Sequence, residues 1–202
     1  MFFSFDGIEG VGKTTQMELF CDWLAEQGHN VVTCRDPGST SLGERLREIV
    51  LTSDASTPIG GMSEMLLYMA ARAQLVEEVI RPALAAKQTV VSDRYLLANV
   101  VYQGYAGGLE VEHVRDVGQI ATTGLIPDCT FLLDMPPAAA RARMGEDLDR
   151  VESRGDEYRE SLRKGFLQEV KILGARFHTI NADRPVDQIQ ADLRSIAAEI
   201  IG

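Results

Sequence analysis

The stretch GIEGVGKT at residues 7–14 restricts what this chain can fold into more than any other. It fits G-x-x-x-x-G-K-[ST], and its flanks are those the pattern needs: apolar Phe2 to Phe5 read as a strand before it, and Thr15 to Gln27 read as a helix after it. The glycines allow successive backbone N–H groups to turn inward as an anion nest, and the helix that follows adds the positive end of its dipole. Lys13 then reaches the β- and γ-phosphates of a nucleoside triphosphate, and Thr14 can offer its hydroxyl to a phosphate-bound Mg²⁺. The candidate ATP-binding residues are Gly7, Ile8, Glu9, Gly10, Val11, Gly12, Lys13, Thr14 and Thr15.

A strand that feeds a phosphate loop belongs to an α/β sheet, and four more apolar runs of strand length recur along the chain. They are Val31 to Cys34, Thr89 to Ser92, Cys129 to Leu133 and Phe177 to Ile180. Helical patterns separate them, which predicts a five-stranded parallel sheet covered by helices on both faces. Three stripes at helical spacing read as core faces: Leu66, Met69, Ala73, Val76, Ile80; Tyr158, Leu162, Phe166, Val170, Leu173; and Val186, Ile189, Leu193, Ile196, Ile200. Pro82 should kink or end the first of these helices. Two stretches, TSDASTPIGG from Thr52 to Gly61 and GEDLDRVESRGDE from Gly145 to Glu157, read as excursions from one core, not as linkers. A chain of 202 residues without internal repeats is read as a single domain.

Charge narrows the partners. The formal net charge of -10 argues against a surface that neutralises nucleic acid, because that needs clustered Lys and Arg in excess. Of the 20 basic residues 16 are Arg, a bias that suits bidentate phosphate contacts but also follows from codon usage. Cys21, Cys34 and Cys129 read as reduced core thiols, and no run of eighteen apolar residues or secretory leader is visible, so the expectation is a soluble cytoplasmic protein without a membrane partner.

Ligands of open parallel sheets collect beyond the carboxyl ends of the strands. The five exits carry Asp6, then Arg35-Asp36-Pro37-Gly38, Asp93-Arg94-Tyr95, Asp134, and Asn181-Ala182-Asp183. Asp93 is the candidate to complete a metal site with Thr14. Arginines at 35, 72 and 94 suggest a second phosphate facing the first, hence phosphoryl transfer between two nucleotides.

These residues together resemble the thymidylate kinase family. The resemblance covers nearly the whole chain and rests on FDGIEGVGKTTQ, RDPGSTSLGERLREIVL, AARAQLVEEVIRPAL, VVSDRYLLANVVYQGYAGG, PDCTFLLDMPP and LDRVE, in that family's order and at about its spacing. It implies a P-loop fold of the nucleoside monophosphate kinase type and the reaction of ATP with dTMP to give ADP and dTDP, with Mg²⁺ as cofactor and a homodimer as the usual assembly. By position, Arg94 matches the arginine that grips the dTMP phosphate, and Glu9 the loop acid near the metal and acceptor. Arg72 matches the contact to thymine O4, and Tyr68 an aromatic that stacks on the base. Asn99 and Gln103 fall at the pyrimidine edge, Tyr102 where a tyrosine crowds the sugar 2′ position, and Arg47 among the arginines of the acceptor pocket. Read without the resemblance, Tyr68 and Tyr102 are better taken as core aromatics, and Arg47 could equally be a solvated helix residue.

Position 9 is glutamate and position 11 valine, so the loop has no arginine of its own. The resemblance then places the catalytic cation in a lid at about 143–156, where Arg143, Arg150 and Arg154 lie, with Arg143 alternatively against the adenine. The sequence departs from the family in having Asp at 6, Tyr at 68, Ser at 39 and Gly at 107, and a shorter stretch from Asp134 to Arg150, which leaves open which lid arginine serves. The expected catalytic set is Lys13, Asp93, Arg94, Arg143 and Arg150, with Thr14, Asp93 and Glu9 near the metal. Rival readings are a P-loop kinase with another acceptor and a P-loop ATPase switch.

Overall fold

A computed structural model describes residues 1–53, 56–145 and 154–202. Its strands are β1 (Phe2–Asp6), β2 (Val31–Arg35), β3 (Thr89–Asp93), β4 (Cys129–Asp134) and β5 (Phe177–Asn181), all parallel in the order β2-β3-β1-β4-β5. Each runs one residue past its apolar stretch. The polar exit residue is still part of the ladder, as in the pairings Arg35↔Asp93 and Asp134↔Asn181, because backbone pairing does not depend on where the side chain points. The sheet is thus tied to its polar rim by backbone bonds.

Alternation along β1 decides which face each residue covers. Phe3 and Phe5 meet the ring of Phe20 on α1 (Lys13–Glu26) at 5.3 and 5.4 Å, while Phe2 sits edge-on to Tyr95 at 5.0 Å on the other face. α9 (Val186–Ile201) packs beside α1 through Ile189, Leu193 and Ala197. On the other face Phe2 and Val90 cluster with Leu75 at the end of α3 (Gly61–Leu75), and α6 (Val111–Thr122) packs on α3; α5 (Leu96–Asn99) follows β3, and α8 (Asp156–Leu173) packs against β4 and β5. The remaining helices are α2 (Ser41–Thr52), α4 (Arg81–Ala85) and α7 (Pro137–Ala142).

Pro82 does not end its helix at once. The chain passes from α3 through a π-helical turn, Val76–Ile80, and resumes as α4. The wider turn accommodates a ring that lacks an N–H and would press on the carbonyl four residues back. A second π-helical segment, Val100–Tyr105, continues α5 and carries Tyr102 and Gln103. Two of the three stripes match at their centres and fail at one end, since Val186 and Leu173 are exposed. On α3 the buried partner of Met69 is Met65, four residues back, and Leu66 points outward. Cys34 and Cys129 are buried and Cys21 half-buried; all three are free, and burial pushes their thiols up to about 12, 12 and 11.

Candidate active site

The phosphate loop leaves β1 at Asp6 and closes on α1 without a side-chain cap, Gly12 taking the left-handed conformation at the helix start with φ 90°. Gly10 must remain glycine for a steric reason as well: its φ is 80°, and a Cβ there would lie 2.3 Å from the carbonyl oxygen of Ala140 on α7. Lys13 folds back over the loop, its Nζ donating to the carbonyls of Gly7 at 3.0 Å and Ile8 at 2.8 Å. Burial, with the Arg94 charge adding to it, pushes the Lys13 ammonium down to about 8.

Arg94 follows β3 directly and has a left-handed backbone, φ 66°. Such a conformation costs a non-glycine residue on the order of 1–3 kcal/mol. It is fixed by the Arg94 N–H donating to the carbonyl of Phe5 at 2.9 Å and the Ser92 hydroxyl donating to the carbonyl of Arg94 at 2.7 Å. The side chain is thereby aimed at the loop: Nη1 donates to the Gly7 carbonyl at 2.9 Å and Nη2 to Glu9 Oε1 at 2.7 Å. Tyr102 closes the group, its hydroxyl 2.5 Å from Glu9 Oε1 and its ring 5.1 Å beneath the guanidinium. Burial alone would raise the Glu9 carboxyl; Arg94, Lys13 and the Tyr102 hydroxyl outweigh it and hold the carboxyl below its ordinary range.

One cleft of about 600 Å³ joins these groups. Its lining includes Glu9, Lys13, Thr14, Thr15 and Arg143 together with Arg47, Tyr68, Arg72, Asp93, Arg94, Asn99, Tyr102 and Gln103. Asp93 Oδ1 is buried without a hydrogen-bond partner among the described residues. Tyr68 is half-buried in this lining, and Tyr102 belongs both to it and to the hydrophobic core, its ring packing on Phe166 at 6.1 Å. Arg47 anchors on the Pro37 carbonyl at 3.2 Å.

Other expected residues are placed differently. Arg35 does not line the cleft; its Nη2 lies 2.7 Å from Glu44 Oε2, half-exposed, because Glu44 on α2 also accepts from the Ser39 N–H and so stands beside β2. Gly7 and Ile8 contribute backbone behind the loop and are buried. The strand exit Asp134 is engaged by a bidentate contact from Arg163 on α8, at 2.7 and 2.9 Å, and is not in the cleft lining. Arg143 reaches the turn after β5, 3.5 Å from Asp183 Oδ1. Arg150 and residues 146–153 of the expected lid lie outside the described residues. Sequence reasoning missed Asp36 as a cleft residue: its Oδ2 accepts from Arg72 Nε at 2.5 Å, both side chains almost wholly buried. The signal was its place at a strand exit beside an arginine-bearing helix, but nothing local tied it to a residue 36 positions away. Arg72 is held further by the Tyr95 carbonyl at 3.3 Å and the Met69 sulfur at 3.2 Å.

The sequence model of the thymidylate kinase family matches residues 5–193. The chain is 45% identical to the thymidylate kinase of Caldanaerobacter subterraneus subsp. tengcongensis over 186 residues, covering 92% of this chain and 88% of that one. It is 41% identical to that of Rhodopirellula baltica over 191 residues, 95% and 77% of the two chains, and 39% identical to that of Thermoanaerobacter sp. over 201 residues, 99% and 98%. Its fold superimposes on the crystal structure of thymidylate kinase from Ehrlichia chaffeensis with a TM-score of 0.80 and 27% identity, over 98% of each chain. With a glycine-rich loop and Arg94 lining one cleft, and with matches over nearly its full length, the chain belongs to the thymidylate kinase family.

Proposed function

We propose that this protein transfers the γ-phosphoryl group of ATP to dTMP, with ATP on the loop from Gly7 to Thr15 and dTMP across the cleft against Arg94, Arg72 and Asn99. The observation that carries this reading is the junction of Lys13, Glu9 and Arg94 in one cleft: a triphosphate-binding loop and a separate cation trained on it from β3. The attacking oxygen belongs to a phosphate that is already anionic, so no general base is needed, and the protein's contribution is alignment and charge stabilisation. Lys13 exchanges its loop carbonyls for phosphate oxygens, and Arg94 holds the acceptor phosphate, with Arg47 beside it. Arg35 can join only after leaving Glu44.

Mg²⁺ fits the residues present. Thr14 supplies a hydroxyl and Asp93 a buried carboxylate oxygen without a partner, both hard oxygen donors, and a magnesium ion held largely by phosphates and water needs no more from the protein. When bound, it would neutralise charge on the β- and γ-phosphates. Glu9 is less available to it, because Oε1 is taken by Arg94 and Tyr102. Arg143 and Arg150 are assigned to the donor side and the lid of a single kinase domain spanning residues 1–202. No helix among the described residues is long and apolar enough to cross a membrane, in keeping with a cytoplasmic enzyme of nucleotide synthesis. Met62 and Leu66 on α3 and Ile120 on the neighbouring α6 are exposed apolar side chains, which supports a homodimer through these helices.

A coupled ADP-release assay with dTMP, dUMP, UMP, CMP, AMP and thymidine tests the reading. Turnover should be greatest with dTMP. Hydrolysis of ATP indifferent to every acceptor would instead mark an ATPase.

A further inference from the structure

Glu64 lies on α3 with its side chain buried, outside the cleft lining. Gln103 Nε2 donates to Glu64 Oε1 at 3.0 Å, and Asn99 Nδ2 donates to Gln103 Oε1 at 2.6 Å. An amide taken alone can be turned either way, but a carboxylate has only acceptor atoms, so the end of Gln103 that faces Glu64 must be its NH₂. The Gln103 oxygen then faces Asn99 and requires the Asn99 NH₂. What remains is Asn99 Oδ1, buried, without a hydrogen-bond partner among the described residues, on a side chain that lines the cleft. The other carboxylate oxygen is engaged separately from the relay: Arg154 Nη2 lies 3.5 Å from Glu64 Oε2 while its guanidinium rests 4.9 Å from the Tyr158 ring.

We propose that Glu64 is a positioning residue for acceptor choice: through Gln103 it holds Asn99 with Oδ1 offered to the cleft, so that the site takes a base bearing a ring N–H and rejects one whose ring nitrogen is bare. This rests on the reading of dTMP as acceptor. Thymine presents a carbonyl oxygen beside N3–H, whereas cytosine presents an amine beside an unprotonated N3. Arg72, donors only, lines the same cleft, and its guanidinium is fixed by Asp36 and the Tyr95 carbonyl. Donor from Arg72 and acceptor from Asn99 complement thymine; against cytosine the same two groups meet an amine and a lone pair, leaving buried polar atoms unpaired. Unpaired groups of that kind are what a site uses to discriminate between close analogues.

The test compares kcat/KM for dTMP and dCMP. Glu64→Gln keeps the shape but allows the amide chain to run in either direction, so the dTMP preference should fall by about tenfold or more, through the acceptor KM and not the ATP KM. Asn99→Asp alone should raise the dTMP KM, because Gln103 then stands between two carboxylates with one NH₂. The double variant restores a satisfied chain running the other way: the introduced amide donates to Gln103, Gln103 donates to the introduced carboxylate, and the second carboxylate oxygen accepts N3–H. Rescue of each single substitution by the other is the expected signature. Gln103→Met, which removes the relay but leaves Glu64 with Arg154, should lower the preference as Glu64→Gln does and carries the test should that variant not fold. Arg154→Ala should leave the dTMP to dCMP ratio unchanged whatever it does to turnover. An unchanged ratio in Glu64→Gln or Gln103→Met, additive losses in the double variant, or a ratio shift in Arg154→Ala equal to that of Glu64→Gln would overturn the proposal. A wild-type enzyme inactive on dTMP would instead overturn the proposed function.

Discussion

Arg94 Nη2 lies 2.7 Å from Glu9 Oε1, joining the exit of β3 to the phosphate loop across 85 positions of sequence. The pair holds the Arg94 guanidinium against the phosphate loop, where the proposed function needs a cation for the acceptor phosphate. Arg94→Ala should therefore lower kcat by about 10²- to 10³-fold and raise the dTMP KM, with ATP affinity little changed. Steady-state kinetics with each substrate varied separately would show this; a loss confined to the ATP KM contradicts the assignment.

Lys13 has a similar exchange to make, and its proton count should report it. With its ammonium lowered to about 8 by burial and by Arg94, the residue is partly neutral at pH 8 and above. A bound triphosphate favours the charged form, so ATP binding should take up a proton there. Affinity should then fall by up to about tenfold per pH unit above that value. Titration calorimetry in buffers of differing ionisation enthalpy detects the uptake, and Lys13→Met should abolish it. In Lys13→Ala, near-normal dTMP phosphorylation would contradict the phosphate role.

Asp36 and Arg72 form an ion pair from which water is excluded, their side chains 0% and 1% exposed. Removing one partner leaves the other charge buried and unmatched, a change that costs about 3–5 kcal/mol. Asp36→Ala should accordingly lower the denaturation midpoint in urea and also raise the dTMP KM, since Arg72 loses the contact that fixes it. A stability loss with an unchanged KM would separate Arg72 from the acceptor.

Asp6 is wholly buried, neither carboxyl oxygen finds a hydrogen-bond partner among the described residues, and burial pushes its pKa up to about 8 against the pull of Arg94 and Lys13. A carboxyl raised in this way binds a proton in the folded state that the unfolded chain has already released. Its contribution to stability is full below the ordinary carboxyl range and is lost as pH rises toward 8, at up to about 1.4 kcal/mol per pH unit. Denaturant unfolding of Asp6→Asn between pH 5 and pH 8 should lack this fall. Parallel curves for the two proteins would show that Asp6 does not carry the proton.

Patterns within a few residues were legible from the chain alone. The five apolar runs marked the strands, and GIEGVGKT marked the loop, since the backbone of each is determined by neighbours in sequence. Pro82 was visible but its effect was not: whether a proline ends a helix or passes through a π-helical turn depends on what the surrounding helix packs against, here the face bearing Val76 and Ile80. The same holds for Leu66, whose place in an apolar stripe did not reveal that Met65 is the residue facing the core.

The sequence by itself determined the succession of strands and helices, the glycine-rich loop that leads from β1 into α1, and the family likeness. Only the tertiary structure decided which charges serve the cleft. Arg94 turns in to Glu9, Arg35 turns out to Glu44, Asp134 is consumed by Arg163, Asp36 fixes Arg72, and Glu64 orients Gln103. A charged side chain's direction is set by the opposite charge or acceptor it can reach, and in this fold several of those partners come from strands and helices tens of residues away, brought together by sheet order and helix packing.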